Sequence, residues 1–302
     1  RAGHKVSYLD CMKSGLRKDG WKQFVRDNQY DAIGIQTYSY VFAVVSEMLD
    51  IVKRVCPDTI TIAGGPHANA LPEKTLLQGK SIDYVIHGEG EDALPALLSA
   101  IESGDTHDLQ SIPNLAWRWG DAVAVNRRTY ICDLDAIGLP AWDLMDPRSY
   151  PALSHGLLNR AHPIAPIFAT RGCPFPCSFC SARLNMGAQL RLRTPDNILD
   201  EIEMLVRDYG VRELHFEDDN FTLRRDFALK VCQGILDRGI CVHWACPNGV
   251  RPEERPPPES FSPSPRRREK LEPVPEPYLN RRASRTHRSM MPPSLTRSSE
   301  ID

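Results

Sequence analysis

The stretch Ala165-Pro166-Ile167-Phe168-Ala169-Thr170-Arg171-Gly172-Cys173-Pro174-Phe175-Pro176-Cys177-Ser178-Phe179-Cys180-Ser181-Ala182 decides how the rest of the chain is interpreted. A short apolar run with strand character ends at Thr170, and a glycine and two prolines then favour a tight, irregular loop. Three cysteines lie on that loop with the spacing C-x3-C-x2-C. Because thiolates bind soft metals and iron–sulfur clusters, Cys173, Cys177 and Cys180 are predicted to hold a four-iron cluster with one iron open.

This spacing, with Phe179 directly before the last cysteine, resembles the signature of the radical S-adenosylmethionine (radical SAM) superfamily. In that family SAM chelates the open iron of a 4Fe-4S cluster through its amino and carboxylate groups. The resemblance implies that the reduced cluster cleaves SAM and that a 5′-deoxyadenosyl radical removes a hydrogen atom from an unactivated carbon. The residues that the resemblance assigns to SAM binding are Phe179, Glu217, Asp218 and Arg251.

Zinc is the alternative occupant of the three-cysteine loop. Structural zinc usually takes four ligands in paired C-x2-C knuckles, whereas only one pair here has that spacing and no second knuckle follows. Cys246 could supply a fourth ligand, although a small buried cysteine at the end of a strand is the simpler interpretation. The glycine, prolines and phenylalanine of the loop favour the iron–sulfur interpretation.

Residues 161–251 are predicted to form the first half of a radical SAM (β/α) barrel. Thr194-Pro195-Asp196 is typical of a helix start, and polar residues follow the predicted strands, where barrel active sites lie. The acidic cluster 217–219 follows the second of these strands, and the alternative is that it caps a helix that begins near Leu223. The predicted elements are helices at 198–209 and 227–238 and strands at 212–216 and 241–245.

The composition changes abruptly from Arg251 on. The last 52 residues contain 11 of the 25 prolines together with 10 arginines. Such a segment has little apolar surface to bury, so residues 252–302 are predicted to be a disordered tail. The resemblance implies three further βα units here and an opening strand and helix before Arg1. We therefore expect a chain truncated at both ends, with the tail as a truncated or frame-shifted reading.

Residues 1–110 are predicted to form a parallel, doubly wound, flavodoxin-like α/β domain. Strand-like and helix-like stretches alternate between residues 4 and 104, and ligands of such sheets lie at the carboxyl ends of the strands. Glycine-rich turns fall at those positions. The predicted strands are 4–10, 31–37, 59–63 and 83–87, and the predicted helices are 18–28, 42–55 and 93–101.

Three of these turns resemble the cobalamin-binding domain that precedes many radical SAM domains. The resemblance assigns cobalamin binding to Asp10, Met12, Gly15, Gly64, Gly65, Gly88 and Glu89. The family's cobalt-ligating motif is D-x-H-x-x-G, and Met12 stands in the place of its histidine, so cobalt is expected to lack an imidazole from the protein. The alternative is a flavodoxin-like domain without a cofactor, whose glycines only form turns; His67 is then an ordinary loop histidine.

Residues 111–160 are predicted to be a linker between the two domains. Two strand-like stretches, 114–119 and 122–126, flank Gly120-Asp121 and indicate a β-hairpin. A segment rich in turn residues follows. No catalytic residue is predicted in this linker.

Length and charge limit the classes of function. The 302 residues allow two domains, and a net charge of −2 gives no electrostatic case for nucleic acid as a partner. No apolar run is long enough to span a membrane, and no signal peptide is visible. Nine cysteines are too few for a disulfide scaffold in a chain of this length, so a reducing cytoplasm is expected. The chain opens at Arg1, and a targeting segment could precede it.

The predicted function is that of a radical SAM enzyme, cobalamin-dependent, which methylates or rearranges a carbon of a small-molecule substrate. The resemblance allows a methyltransferase or a cyclase, and it implies an electron donor such as flavodoxin or ferredoxin. The alternative is an inactive or partial iron–sulfur-binding fragment without catalysis.

Overall fold

The computed structural model describes residues 3–104, 106–152 and 159–249. Arg251 and the predicted tail 252–302 lie outside the described residues. The strands are β1 Ala32–Gln36, β2 Ile60–Gly64, β3 Tyr84–Ile86, β4 Leu115–Trp119, β5 Ala122–Val125, β6 Ile164–Ile167, β7 Thr170–Arg171, β8 Arg191–Leu192, β9 Glu213–Phe216 and β10 His243–Ala245. The helices are α1 Cys11–Ser14, α2 Lys18–Asn28, α3 Phe42–Val55, α4 Pro66–Ala70, α5 Pro72–Gln78, α6 Ala93–Ser103, α7 Ala182–Met186, α8 Pro195–Tyr209 and α9 Arg225–Asp237.

The first sheet has the order β1-β2-β3-β4-β5, and its first three strands are parallel. Successive residues of one strand enter opposite cores, because side chains alternate across a sheet. Ile62 packs with α6 on one face, whereas Ala63 packs with α2 and α3 on the other. Both faces are therefore covered by helices, as is usual for parallel sheets. The predicted α/β class is confirmed.

Two segments of the first half differ from the sequence-based expectation. Residues 4–10 form no strand, and Val6 and Tyr8 are about half exposed. The hairpin β4–β5, expected in the linker, extends the first sheet, because β4 pairs antiparallel with β3. Leu115 and Trp117 are buried in the core on the α6 side, so burial of apolar surface holds the hairpin on the sheet.

The second sheet has the order β10-β9-β6, and all three strands are parallel. Its core unites this sheet with α8 and α9 and includes Phe216, Phe221 and Ile202. Helix α8 begins as predicted: Thr194 accepts a hydrogen bond from the Asn197 amide, and Pro195 occupies the first turn. The alternation of strands and helices predicted for this half is confirmed by the described residues.

The segment between the two sheets is anchored on the second core. Trp142 is buried there, and its indole N–H donates to Glu201 Oε1 at 2.9 Å. Arg193 Nη1 donates to the other oxygen of Glu201 at 2.6 Å. A buried carboxylate is stable only when it is paired and hydrogen-bonded, and this one has both kinds of partner. Both sheets lie within one compact unit.

Candidate functional site

The cysteine loop is closed at its base by a short ribbon. Strands β7 and β8 pair antiparallel, with Arg171 opposite Arg191, and the loop runs between them. Gly172 opens the loop with φ +91°, and a Cβ there would lie 2.2 Å from the Gln189 carbonyl oxygen. Only glycine fits this position, because both the backbone conformation and the space exclude a side chain.

The three predicted cluster ligands lie at the outer part of this loop. Cys173 is half-buried, Cys177 and Cys180 are exposed, and none of the nine cysteines of the chain forms a disulfide. A turn brings the last two together: the Cys180 amide donates to the Cys177 carbonyl oxygen at 3.1 Å. Phe179, within the turn, is 92% exposed.

The donor set on this loop fits an iron–sulfur cluster. Three free thiols on one turn-rich loop can converge on a cluster without disturbing a core, and thiolates are the ligands that iron–sulfur clusters take. In the described parts of the chain, no three His, Cys, Asp or Glu side chains are already gathered in the geometry of a metal site.

A buried ion-pair cluster joins the base of the cysteine loop to the first sheet. Glu89, in the turn after β3, accepts from Arg191 Nη1 at 2.8 Å on both oxygens and from Arg171 Nη1 at 3.1 Å. The Ile131 amide donates to the same carboxylate at 2.7 Å. The Glu89 side chain is 3% exposed and that of Arg191 6%. The Glu89 carboxylate therefore holds the base of the cysteine loop, while its contact with cobalamin stays a prediction.

The pKa of Glu89 reflects this cluster. Burial alone would raise the pKa, but hydrogen bonds from Arg191, the Ile131 amide and Arg171 hold it below the ordinary value. The Glu89 carboxylate is therefore ionised, and its negative charge faces the guanidinium groups of Arg171 and Arg191. Arg171 also pairs with Glu91 at 2.6 Å, so both acidic residues of the Gly88-Glu89-Gly90-Glu91 turn bind the loop base.

A second contact joins α4, after β2, to α7, within the cysteine loop. Asn69 Nδ2 donates to Asn185 Oδ1 at 3.1 Å, while Asn69 Oδ1 accepts from the Gly88 amide at 2.6 Å. Arg128 Nη1 donates to the Leu184 carbonyl oxygen at 2.7 Å, and its Nη2 donates to the Asn69 carbonyl oxygen. The cysteine loop therefore lies directly against the carboxyl edge of β2 and β3.

The residues of the first predicted cobalamin turn cap a single-turn helix. Asp10 accepts from the amides of Met12 and Lys13 at 2.9 and 3.0 Å, and Gly15 ends α1 with φ +62°. Asp10 and Gly15 are thus explained by local capping. Met12 is 95% exposed.

The glycines of the other two turns have different roles. A Cβ on Gly65, at φ +90°, would lie 2.7 Å from Gln36 Cγ and 3.0 Å from the Thr37 nitrogen, so protein packing requires this glycine. A Cβ on Gly64 would have only the Ile86 carbonyl oxygen within 4 Å, at 3.7 Å, which leaves room for a ligand beside this residue. Gly88 has φ +118° and lies near Asn114 and Arg128.

Two buried histidines lie at this edge. The His67 ring stacks on Phe42 with centroids 4.4 Å apart, and its Nδ1 is 3.0 Å from Ser39 Oγ. Its Nε2 is buried without a partner among the described residues, and burial lowers its pKa. His87 is also buried; burial and Arg128 lower its pKa to about 4, so it is neutral at pH 7. The partnerless His67 nitrogen and the space at Gly64 fit a polar ligand at this edge, as cobalamin would be.

The two acidic residues predicted to bind SAM differ in their surroundings. Asp218 is 2% exposed, and its carboxylate accepts from the amides of Ala169, at 3.2 Å, and Thr170. Burial raises its pKa to about 6. Asp218 therefore holds the strand end before the cysteine loop, while the Glu217 side chain, 31% exposed, is the more accessible carboxylate.

Two family models match the chain. The B12 binding domain matches residues 1–98, and the radical SAM superfamily matches residues 167–257. The first range contains the parallel strands β1, β2 and β3, and the second contains the cysteine loop with β9 and β10. The chain is a radical SAM protein with an N-terminal B12-binding domain. The predicted cofactor set of 4Fe-4S cluster, SAM and cobalamin is confirmed at the level of these two domains.

Similar proteins are named for the two activities that the resemblance allows, methyltransferase and cyclase. An uncharacterized methyltransferase of Pyrococcus horikoshii is 28% identical over 251 residues, which cover 83% of this chain and 53% of that protein. The anaerobic magnesium-protoporphyrin IX monomethyl ester cyclase of Rubrivivax gelatinosus is 30% identical over 242 residues, which cover 79% of this chain and 42% of that protein. The chain thus spans about half the length of the curated relatives it matches.

Solved structures share the fold. The cobalamin-dependent SAM radical enzyme OxsB, with aqua-cobalamin and SAM bound, superposes with a TM-score of 0.64 at 17% identity, over 78% of this chain and 32% of that one. The radical SAM methyltransferase TsrM of Kitasatospora setae, with cobalamin and a 4Fe-4S cluster, gives 0.58 at 21% identity, over 78% and 46%. These superpositions show that the chain shares the fold of both structures over 78% of its length.

Sequence reasoning missed the residues that join the two domains. Arg171, Arg191, Asn69 and Asn185 carry no motif of their own. A signal was present for one of them, since Arg171 directly precedes the glycine that opens the loop. Its partner Glu89, however, is 82 residues away in sequence.

In the described residues, no helix has the length and apolar character needed to cross a membrane.

Proposed function

We propose that the protein from which this chain comes is a cobalamin-dependent radical SAM enzyme that methylates or rearranges an unactivated carbon of a small-molecule substrate. Cys173, Cys177 and Cys180 hold the 4Fe-4S cluster, and SAM binds its open iron beside Phe179, Glu217 and Arg251. When bound, the reduced cluster and SAM supply the radical chemistry, and cobalamin can supply a methyl group.

The observation that carries this proposal is the contact between the cysteine loop and the carboxyl edge of the first sheet. Glu89 binds both strands of the loop base, and Asn69 binds the helix within the loop. Ligands of parallel α/β sheets bind at the carboxyl ends of the strands. A cobalamin bound at Gly64 and Gly88 would therefore lie next to a cluster on the cysteine loop. Two cofactors that act on one substrate must lie close together in this way.

The chain's own residues position the two sites. Asp218 fixes the strand end at Ala169 and Thr170, and Gly172 lets the backbone turn sharply into the loop. The buried pairs at Glu89 then hold the loop base. A catalytic arrangement needs its groups held in place before reaction, because misplacement by about 1 Å can cost on the order of 100-fold in rate.

Both reaction outcomes have support among the relatives. The Pyrococcus relative is named an uncharacterized methyltransferase and the Rubrivivax relative a cyclase. Because Met12 stands where the family's motif has histidine, the protein would offer cobalamin no imidazole from this position. We also propose a low-potential donor such as flavodoxin or ferredoxin. A cytoplasmic location is part of the proposal, since nine free thiols and a cluster suit a reducing compartment.

The test is reductive cleavage of SAM by anaerobically reconstituted chain. Dithionite and SAM should yield 5′-deoxyadenosine, with about four irons bound per chain. Cys173→Ala, Cys177→Ala and Cys180→Ala should each abolish the cluster, because the loop carries no fourth cysteine to replace the missing thiolate, and the product should disappear with it. Cys132→Ala, outside the loop and exposed, is the matched control and should retain both.

The outcomes separate the two interpretations of the chain. A cluster that forms without 5′-deoxyadenosine would favour an iron–sulfur-binding fragment without catalysis. A cluster that survives in any of the three loop variants would show that other residues hold the iron.

A further inference from the structure

Helix α7 lies within the cysteine loop and contacts one of the predicted cluster ligands. It begins at Ala182, just after Cys180, and the Ala182 amide donates a hydrogen bond to Cys180 Sγ at 3.4 Å. Each helical residue rises about 1.5 Å along the axis, so Leu184 lies about 3 Å further along the helix than Ala182. A molecule that contacts the outer face of α7 is therefore close to a cluster held by this sulfur.

Apolar side chains are exposed on α7 and on the neighbouring α4. Leu184 is 52% exposed, and Leu71, directly after α4, is 38% exposed. The two helices are joined, because Arg128 donates to the carbonyl oxygens of Asn69 and Leu184. Single exposed leucines are common on protein surfaces, but apolar side chains grouped within a polar rim are typical of a surface that binds another protein.

The charge around these leucines is positive. Arg183 is exposed, and within the described part of the chain no carboxylate lies within 4 Å of its guanidinium group. Arg128 donates to two carbonyl oxygens and lies 3.4 Å from the neutral His87, so its described partners do not balance its charge either. An apolar centre beside uncompensated cations is complementary to an acidic protein surface.

We infer that this face, formed by Leu184, Arg183, Arg128 and Leu71, is the docking surface for the electron donor, a small acidic protein that carries its redox group at its surface. One electron leaves the reduced group of the donor, which is oxidised, and enters the cluster, which is reduced; no bond of this chain forms or breaks. Complexes of electron-transfer proteins are weak and bury little area, so a face of this size is sufficient. The inference rests on the proposed function, because only a resident cluster needs such a donor.

The test compares two reductants of the reconstituted cluster in stopped-flow absorbance measurements. Arg183→Glu should slow reduction by reduced flavodoxin about tenfold or more, because charge reversal removes electrostatic steering. Its reduction by dithionite, a small molecule that needs no docking surface, should change little. Arg183→Lys keeps the charge and should restore the wild-type rate with flavodoxin.

Arg54→Glu is the matched control, since it makes the same change of net charge at another exposed arginine. Arg54 lies near the end of α3, which leads into the amino end of β2, whereas the cysteine loop lies at the carboxyl edge of that sheet. This variant should be reduced by flavodoxin as fast as the wild type. Higher ionic strength should slow flavodoxin with the wild type more than with Arg183→Glu, because salt screens the attraction between exposed charges.

Leu184→Ala tests the apolar centre. It should raise the flavodoxin concentration at which the rate saturates, while iron content stays at the wild-type level. An unchanged flavodoxin rate in Arg183→Glu, or equal slowing with flavodoxin and dithionite, would overturn the inference. Wild-type cluster that dithionite reduces but flavodoxin does not would also overturn it, whereas wild-type protein that forms no reducible cluster would overturn the proposed function itself.

Discussion

The Glu89 carboxylate accepts two hydrogen bonds of 2.8 Å from a single nitrogen of Arg191, and this pair ties the edge of the B12-binding domain to the base of the cysteine loop. The two residues are 102 positions apart in sequence. Both are almost fully buried, and Arg171 completes the cluster from the opposite strand of the ribbon. The geometry of the proposed cluster relative to the first sheet depends on this contact.

We expect Glu89→Gln to destabilise the protein by about 3 kcal/mol or more, because removal of one partner leaves a buried guanidinium without its counter-charge. Denaturant unfolding of the cluster-free protein measures this. Glu91→Gln is the matched control: it also pairs with Arg171 but is a third exposed, so it should cost about 1 kcal/mol or less. Equal effects of the two variants would contradict the role assigned to Glu89.

Gly172→Ala should prevent the cysteine loop from closing. A Cβ would lie 2.2 Å from a backbone carbonyl oxygen, at a φ that favours glycine, so the ribbon β7–β8 must open. Gly210→Ala is the control. Gly210 also has a positive φ, +64°, but a Cβ there would have nothing within 4 Å, so this variant changes the backbone conformation without a clash. Its cost should be about 1 kcal/mol. After reconstitution, Gly172→Ala should contain no iron, whereas Gly210→Ala should contain as much iron as the wild type. Full iron content in both variants would contradict the clash expected at Gly172.

Asp218 should make the stability of the cluster-free protein fall as pH rises between about 4 and 6. Its folded pKa, about 6, lies above the ordinary 3.8, so in this window the folded state binds more protons than the unfolded state. The stability that protonation provides is complete below the ordinary pKa and is lost as pH rises through the folded pKa. Asp218→Asn has no such proton, so the difference in unfolding free energy between wild type and variant should shrink by about 1–3 kcal/mol across the window. If the difference in unfolding free energy does not change with pH, the Asp218 carboxyl has the same pKa in the folded and unfolded states.

Gly64 is the position at which a side chain tests cobalamin binding. A Cβ there contacts only the Ile86 carbonyl oxygen, at an ordinary 3.7 Å, so Gly64→Ala should fold normally but narrow the space at the carboxyl edge. Titration with cobalamin should show weaker binding than in the wild type. Met12→Ala, at a side chain 95% exposed, should change the affinity little.

Gly65→Val would not serve this purpose, since it clashes with Gln36 and Thr37 whether or not a ligand binds. Unchanged cobalamin affinity in Gly64→Ala, with an intact circular dichroism spectrum, would place the cofactor elsewhere.

The elements that sequence reasoning predicted are those whose cause is local. The Thr194 cap, the proline after it and the apolar spacing that follows define α8 within a few residues. The alternation of strands and helices indicates a parallel α/β sheet for the same reason, because periodicity is a property of neighbouring residues. Residues 4–10 show the limit of this reasoning, since strand character does not form a strand without a partner to pair with.

The site shows the same division. The amino-acid sequence by itself determined the three cysteines, their turn-forming neighbours and the radical SAM and B12-binding resemblance, because the spacing of ligands on one loop is local. Only the tertiary structure decided that Glu89 holds the cysteine loop, that Gly65 makes room for Thr37 and that Asp218 binds the Ala169 and Thr170 amides. Each of these roles depends on a partner brought near by the packing of whole sheets, and the energy of a charge or a glycine contact is set by that partner and by burial.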